Sequence, residues 1–251
     1  MRTKHITLVA LVLGLSMTVA QQQPAPDAGK PAPAAQDPGI ARITERKVVV
    51  EDCTVHLLES GPEYGQVVIL LHGGRFTSEV WREQGILEAF ARAGRRVFAP
   101  DLPGFGQTKS CSVPKEKFLE KLLPLLTERK PVVLASSMSG AFAFPFLLDH
   151  ADRVAGFIAV SPAGVDDYRE RLPNITVPIL AIWGEKDTSF PVEVGKRLVE
   201  AVPKGELFVM PDAPHPCYLK DPKVFAERIL RYLDELPAER GAPRKLGGDG
   251  T

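Results

Sequence analysis

Short apolar runs alternate with segments of helical periodicity along the middle of the chain. Eight runs have the length and the β-branched composition of buried strands: Lys47–Val50, Val55–Leu58, Val67–Leu71, Val97–Ala99, Val132–Ala135, Phe157–Val160, Ile179–Ile182 and Leu207–Met210. Four segments between them space apolar residues as amphipathic helices do: Glu79–Ala93, Lys115–Glu128, Val192–Ala201 and Pro222–Leu236. The pattern predicts an α/β domain in which helices cover both faces of an eight-stranded, mostly parallel sheet. Ligand sites in such sheets lie beyond the carboxyl ends of the strands.

The two ends of the chain differ in composition from this middle part. Residues 1–20 join Arg2 and Lys4 to an apolar run, Ile6–Ala20, which predicts a cleaved signal peptide and an exported protein, periplasmic or secreted. An N-terminal membrane anchor is the alternative, but at about 1.5 Å per residue the run is shorter than a hydrocarbon core of roughly 30 Å. Pro and Ala dominate residues 21–39, and Gly with mixed charges residues 238–251. We therefore expect a disordered tether, a disordered tail and one folded domain at residues 40–237.

Charge and cysteine content narrow the classes of partner. The 31 Lys and Arg residues balance the 31 Asp and Glu residues, and a neutral chain lacks the positive field that attracts nucleic acids or anionic membranes. Three cysteines without a Cys-x-x-Cys or Cys/His cluster predict neither a zinc site nor a disulfide framework. A Cys53–Cys111 bridge is possible, although nothing in the sequence supports it, and Cys217 is expected to be a buried thiol rather than a reactive one. We expect a monomer with a small-molecule substrate, no metal or other cofactor, no nucleic acid and no stable membrane insertion after signal cleavage.

A serine-rich turn lies between the fifth predicted strand and an apolar helical segment. A nucleophile on a strand-to-helix turn needs small residues two positions before and after it, because the tight turn brings those backbones together. Ala135 and Ser139 satisfy this rule around Ser137, and Gly140 adds a third small residue where the helix packs on the strand. Ser139 is the alternative nucleophile, but it would put bulky Phe142 in that third position. The non-catalytic interpretation is that these serines end the strand and cap the helix that follows.

A serine hydroxyl needs a histidine base, and the histidine needs a carboxylate to orient it. His215 lies in a proline-rich loop just past the last predicted strand. The other four histidines lie in the signal segment, in an early strand, in the loop after the third strand and at a helix end: His5, His56, His72 and His150. Asp187 follows the seventh strand, and the chain order Ser137, Asp187, His215 is that of α/β-hydrolases. Two acids after the sixth strand compete with Asp187 for this role: Asp166 and Asp167.

The glycine-containing loop after the third predicted strand supplies candidates for stabilising an oxyanion. Glycine lets a backbone N–H approach a substrate without a side chain in the way, so we assign the two donors to the backbones of Gly74 and Met138. His72 is expected to brace this loop by hydrogen bonds. Arg75 and Phe76 come next and are candidate substrate-binding residues. Arg75 suits an anionic or amide group, although a solvated surface arginine is the simpler interpretation.

Several motifs of the chain are particular to one family. They are Arg75-Phe76 after the widely shared His72-Gly73-Gly74 loop, Ser137-Met138-Ser139-Gly140, Pro145-Phe146-Leu147 and His215-Pro216-Cys217-Tyr218-Leu219. With these motifs, over about residues 45–236, the chain resembles the alpha/beta hydrolase domain-containing protein 14 family. The resemblance implies an alpha/beta-hydrolase fold and a compact serine hydrolase that acts on small acyl groups. It also implies that Ser137, Asp187 and His215 form the catalytic triad.

The segment between the sixth and seventh predicted strands decides how open the site is. Many α/β-hydrolases insert a helical lid there, whereas Ser161–Val177 leaves room for one turn or a short helix. We expect no large cap domain and an open, shallow site that favours short acyl chains. The expected reaction is hydrolysis of small acyl esters, or of related thioester or amide bonds, through an acyl-serine intermediate. The alternatives are an acyltransferase or deacylase with an acceptor other than water, and a catalytically silent hydrolase fold that serves as an interaction module.

Overall fold

The structure, a computed structural model, describes residues 42–237 of the chain. One sheet contains eight strands: β1 Thr44–Val50, β2 Cys53–Ser60, β3 Val67–Leu71, β4 Arg96–Pro100, β5 Val132–Ser136, β6 Gly156–Val160, β7 Ile179–Gly184 and β8 Gly205–Met210. Six α-helices accompany it: α1 Glu79–Glu83, α2 Ile86–Arg92, α3 Lys115–Leu126, α4 Gly140–His150, α5 Val192–Ala201 and α6 Pro222–Glu235. The predicted α/β fold with an eight-stranded sheet is confirmed. The predicted signal peptide, tether and tail fall outside the described residues.

The strand order places the ends of the central strands next to one another. The order is β1-β2-β4-β3-β5-β6-β7-β8. Strand β2 runs antiparallel to both of its neighbours, and the pairs from β4 through β8 are parallel. The carboxyl ends of β3, β5, β7 and β8 therefore lie along one edge of the sheet. The loops that leave these four ends carry Gly74, Ser137, Asp187 and His215, whereas the competing acids Asp166 and Asp167 follow β6.

Both faces of the sheet are buried, which explains why its central strands are apolar at every position. In β3, Val67, Ile69 and Leu71 belong to the core on one face, while Val68 and Leu70 belong to the core on the other. Helices α3, α4 and α5 cover the first face, through residues such as Phe118. Helices α1, α2 and α6 cover the second face. These two layers hold the loops at the carboxyl ends of the strands in fixed positions.

The helical segment predicted at Glu79–Ala93 is two helices rather than one. It breaks at Gly85, whose φ of 67° lies in the left-handed region, so α2 starts in a new direction. Glycine adopts this backbone conformation at little cost, whereas other residues are strained in it. A helical pattern of apolar residues continues through the break and does not reveal it.

A disulfide bond joins Cys53 and Cys111, a pairing that the sequence left possible but did not support. The Cα atoms of the two residues are 5.2 Å apart, within the usual range for a disulfide. Cys53 begins β2, and Cys111 lies in the loop between β4 and α3, 58 positions further along the chain. The antiparallel β2–β4 pair brings this loop back to the start of β2, so spacing along the chain does not reveal the pairing.

The chain between β6 and β7 is short, as expected. It makes a series of turns and one 3₁₀ turn at Leu172–Asn174, and in the described part of the chain no cap domain covers the carboxyl edge of the sheet. Within residues 42–237, none of the helices has the length and apolar character needed to cross a membrane.

Candidate active site

Ser137 occupies the sharp turn between β5 and α4. Its φ is 53°, a left-handed conformation that strains a residue with a side chain and that is typical of nucleophile elbows. Ala135 and Ser139 are the small residues two positions away on either side. Gly140 is needed for a different contact from the one expected: a Cβ at this position would lie 2.1 Å from the carbonyl oxygen of Ala163, so α4 approaches the loop after β6 rather than the strand.

The alternative nucleophile, Ser139, is buried and engaged in hydrogen bonds within the turn. Its Oγ accepts the backbone N–H of Ser136 at 2.8 Å. Ser139 Oγ also lies 2.9 Å from the Ser136 carbonyl oxygen and 3.2 Å from the Leu71 carbonyl oxygen. Either carbonyl can accept the proton of the Ser139 hydroxyl. The hydroxyl of Ser139 therefore ties the serine turn to the end of β3.

Three side chains from separate loops form a chain of hydrogen bonds. His215 Nε2 lies 2.9 Å from Ser137 Oγ, and His215 Nδ1 lies 2.8 Å from Asp187 Oδ2. If Nδ1 carries the proton and donates to Asp187, Nε2 is free to take the proton of Ser137. The loops after β5, β7 and β8 supply these groups, in the chain order predicted from the sequence.

The carboxylate of Asp187 is held ionised and in one orientation. Its Oδ1 accepts the backbone N–H groups of Ser189 at 2.9 Å and Phe190 at 2.8 Å. Burial acts to raise the pKa of Asp187, but the hydrogen bonds from His215 and from the Phe190 backbone outweigh it and keep the pKa below its usual value. Of the competing acids, Asp166 is exposed and pairs with Arg197 at the surface, and Asp167 is also exposed.

The loop after β3 is braced by His72, as the sequence analysis expected. His72 Nε2 accepts the backbone N–H of Leu102 at 3.0 Å, so Nδ1 carries the proton and donates to the Gly73 carbonyl at 2.9 Å. Burial lowers the pKa of His72, which keeps the ring neutral and preserves this pattern of bonds. The backbone of Gly74, next along the loop, is thereby fixed beside the serine turn.

Gly74 and Met138 face each other where the sequence analysis placed the oxyanion donors. A Cβ added to Gly74 would lie 3.4 Å from Met138 Cβ, so the two backbones are close together. The N–H of Gly74 donates to no acceptor in the described part of the chain. A backbone N–H without an internal partner is available to a ligand oxygen.

A cavity of about 450 Å³ opens over this arrangement. The loop after β3, the serine turn and three further loop segments line it. The lining residues are Gly73–Phe76, Ser136–Met138, Ser189, Phe190, His215, Pro216, Tyr218 and Leu219. Arg75 and Phe76 both line it, and Arg75 is exposed. A larger cavity of about 1120 Å³ lies at the amino ends of the strands, where Val67, Arg96 and Lys204 are among its lining residues. It contains none of the groups described above, so the smaller cavity is the candidate active site.

Sequence analysis missed several residues that line this cavity. Ser136, Phe190 and Tyr218 lie one to three positions from Ser137, Asp187 and His215, and the Phe190 ring lies 5.4 Å from that of His215. Their nearness to the candidate triad along the chain was the available signal. Which of their side chains would face the cavity depended on the conformation of each loop.

The remaining metal-binding and nucleophilic side chains are engaged elsewhere. Across residues 42–237, no group of three or more His, Cys, Asp or Glu side chains is arranged to hold a metal ion. Cys217 is fully buried, and burial raises the pKa of its thiol to about 12, so it stays protonated near neutral pH. His56 is bonded to Asp101 at 3.0 Å within the core, away from the cavity.

Comparison with known proteins places this site in a family. Residues 66–167 match the model of the alpha/beta hydrolase fold family. The chain is 35% identical to Protein ABHD14A of Danio rerio over 175 residues, which are 67% of this chain and 64% of that protein. It is 32% identical to the human "Putative protein-lysine deacylase ABHD14B" over 207 residues, 76% of this chain and 96% of that protein.

Solved structures agree with this assignment at the level of the fold. A predicted CIB-like hydrolase from Thermoplasma acidophilum superimposes with a TM-score of 0.74 at 25% identity, over 78% of this chain and 99% of that chain. Carboxylesterase CesB from Bacillus subtilis superimposes with a TM-score of 0.69 at 18% identity, over 76% of this chain and 92% of that chain. The chain therefore belongs to the ABHD14 family of α/β-hydrolases and is a hydrolase.

Proposed function

We propose that this enzyme hydrolyses small acyl esters through an acyl-Ser137 intermediate. The observation that carries the proposal is the hydrogen-bonded series Ser137 Oγ, His215 and Asp187, at 2.9 and 2.8 Å, on the wall of the 450 Å³ cavity. A serine hydroxyl becomes a strong nucleophile when a neutral imidazole can accept its proton. The ionised carboxylate of Asp187 fixes the imidazole tautomer and stabilises the imidazolium that forms.

In the first half-reaction, Ser137 Oγ bonds to the carbonyl carbon of the ester while its proton moves to His215 Nε2. The carbonyl oxygen becomes an oxyanion, and the backbone N–H groups of Gly74 and Met138 stabilise it. Each such donor typically contributes about 3 to 4 kcal/mol to lowering the barrier. The bond to the leaving oxygen then breaks, and His215 returns the proton to that oxygen, which departs as an alcohol.

In the second half-reaction, water replaces the serine as nucleophile. The water oxygen bonds to the acyl carbon while His215 takes one of the water protons. His215 then passes this proton to Ser137 Oγ as the acyl–serine bond breaks. The products are a carboxylic acid and the free enzyme. No cofactor enters this sequence, and a single chain supplies every group it uses.

We expect short acyl chains to be the preferred substrates. The cavity holds about 450 Å³ and no cap domain among the described residues extends it, so a long chain would leave most of its apolar surface in water. Measured on p-nitrophenyl esters from acetyl to palmitoyl, kcat/KM should be highest for chains of about two to six carbons. A maximum at lauroyl or longer would contradict the expected shape of the site.

A second candidate is transfer of the acyl group to or from an amine, or to a thiol. The name of the human relative refers to protein-lysine deacylation, and an acyl-serine can be attacked by any nucleophile that enters the cavity. The same ester assay distinguishes the two candidates when lysine or thiol acceptors are added. Acyl transfer predicts an acylated acceptor in place of free acid, whereas hydrolysis predicts free acid at an unchanged rate.

Arg75 is proposed to bind an anionic or amide group at the rim of the cavity. Its side chain is exposed beside Gly74, and apart from His215 no other titratable charge lines this cavity in the described structure. A guanidinium at such a position can form two parallel hydrogen bonds to a carboxylate. Phe76, the next residue, contributes apolar surface to the same wall.

We also propose that the protein is exported and monomeric. The Cys53–Cys111 disulfide supports export, because such bonds persist in oxidising compartments and are rare in the cytoplasm. Produced from the full sequence in a Gram-negative host, the protein should appear in the periplasmic extract as a chain that starts near residue 21. It should react with iodoacetamide only after unfolding, at Cys217 alone. A full-length cytoplasmic chain with three reactive thiols would contradict this proposal.

A further inference from the structure

Ser161, the residue that follows β6, has a strained backbone. Its φ is 40°, in the left-handed region that residues with a side chain seldom adopt. Glycine meets such a conformation without strain, and the same loop uses glycine at its next left-handed position, Gly164. A serine at position 161 costs conformational energy that a glycine would not, which indicates that its side chain has a function.

The strained turn lies between the loop of the nucleophile and the loop of the acid. The N–H of Ser161 donates to the carbonyl of Ile182 in β7 at 3.1 Å. Two residues further on, the N–H of Ala163 donates to the Ser137 carbonyl at 2.8 Å. Strand β6 itself lies between β5, which leads to Ser137, and β7, which leads to Asp187. The Ser161 side chain is therefore held at the centre of the candidate triad's supporting loops.

The Asp187 carboxylate has room for one more donor than the three described above. An ionised carboxylate offers about four lone-pair sites. His215 and the backbone N–H groups of Ser189 and Phe190 occupy three of them, at 2.8 to 2.9 Å. The Asp187 side chain is 0% exposed, so bulk water does not supply a fourth bond. A buried charge is stabilised when the protein fills its remaining site.

The Ser161 hydroxyl is the group placed to supply this bond. Ser161 is 0% exposed, and its Oγ has no other hydrogen-bond partner within residues 42–237. Burial raises the pKa of Asp187, and the Ser161 hydroxyl is one of the groups that lower it, after His215 and the Phe190 backbone. Such an effect is that of an O–H group that donates to an ionised carboxylate.

We propose that Ser161 is a positioning residue, which donates a hydrogen bond to Asp187 and holds the carboxylate in the orientation that faces His215. The proposal rests on the hydrolase function proposed above and deepens it. Ser161 does not line the cavity, so it acts through the triad and not on the substrate. When His215 takes the Ser137 proton it becomes a cation, which a fixed and ionised carboxylate stabilises. Without the hydroxyl, the carboxylate loses one of the contacts that fix it.

Two substitutions separate the hydroxyl from the backbone conformation. Ser161→Ala removes Oγ and leaves the strain, whereas Ser161→Gly removes Oγ and relieves the strain. In both variants, kcat for p-nitrophenyl acetate should fall on the order of tenfold while KM changes by less than about twofold. The two losses of kcat should be similar even where the unfolding temperatures of the variants differ. A merely structural role predicts instead that activity follows the unfolding temperature.

The proton between His215 and Asp187 gives a second readout, which requires no substrate. A histidine N–H that makes a short bond to a carboxylate has a ¹H NMR resonance far downfield. Both Ser161 variants should change the position of this resonance. Ser60→Ala is the matched control, because it removes the hydroxyl of a serine that is also buried, at the opposite edge of the sheet, where its Oγ donates to the Arg42 carbonyl at 3.1 Å. It should leave kcat within about twofold of the native value and the resonance unchanged.

The outcomes distinguish this role from the hydrolase function itself. A native kcat and an unchanged resonance in both Ser161 variants would overturn the positioning role and leave ester hydrolysis intact. A native protein that cleaves no ester would contradict the hydrolase function instead. In that case, a resonance that moves in both Ser161 variants and not in Ser60→Ala would still support the bond from Ser161 to Asp187, and one that stays in place would overturn it.

Discussion

Replacement of Ser137 by alanine is expected to abolish both ester turnover and labelling by fluorophosphonate probes. The loss of kcat should be at least about 10⁴-fold, because the other triad members and the oxyanion donors leave only residual catalysis when the nucleophile is absent. The substitution removes only Oγ, the atom 2.9 Å from His215 Nε2, and leaves the left-handed turn to a residue with the same Cβ. The thermal unfolding transition should therefore be close to that of the native protein.

Ser139→Ala is the matched control for this prediction. Its hydroxyl accepts the Ser136 N–H and lies beside the Leu71 carbonyl, and Ser139 itself does not line the cavity. We expect labelling to persist in this variant, with a loss of stability of about 1 to 3 kcal/mol as a buried N–H loses its acceptor. Labelling that persists in Ser137→Ala and disappears in Ser139→Ala would identify Ser139, not Ser137, as the nucleophile.

Asp187→Asn is expected to lower kcat on the order of 10³- to 10⁴-fold while preserving the shape of the site. The amide can present its NH₂ group to His215 Nδ1, which favours the tautomer with the proton on Nε2, and that tautomer cannot take the proton of Ser137. The native carboxylate is held ionised, with a pKa below its usual value, and this selects the productive tautomer. The measurement is the single-turnover rate of acylation with p-nitrophenyl acetate.

Asp166→Asn provides the comparison, since Asp166 was the competing acid of the sequence analysis. It forms an exposed ion pair with Arg197, and such pairs contribute little to stability or to a distant site. Its acylation rate should stay within about twofold of the native rate. An equal loss of acylation rate in Asp187→Asn and Asp166→Asn would contradict the assignment of Asp187 as the carboxylate that orients His215.

The architecture could be predicted from the sequence because burial on both faces leaves a strong pattern. A strand such as β3, Val67–Leu71, is apolar at every position and is bounded by polar turns. The two helices around Gly85 could not be separated in the same way, since a glycine within a helical pattern is tolerated at a cost of about 1 kcal/mol. The Cys53–Cys111 disulfide could not be decided from the sequence, because its partners meet only through tertiary structure.

The candidate triad could be predicted because each member lies just past a strand of a parallel sheet, where side chains from distant segments converge. The places of Ser136, Phe190 and Tyr218 on the cavity wall could not be predicted, because the conformation of each loop decides which residues line the cavity.

The central claim is that turnover passes through an acyl group on Ser137. Its most direct test is rapid-quench mass spectrometry of the enzyme during turnover of p-nitrophenyl acetate, followed by peptide mapping of any adduct. The account predicts one acetyl group per chain, located on Ser137, which forms and decays at rates consistent with turnover. An adduct on another residue, or turnover without any adduct when acylation is faster than deacylation, would contradict it.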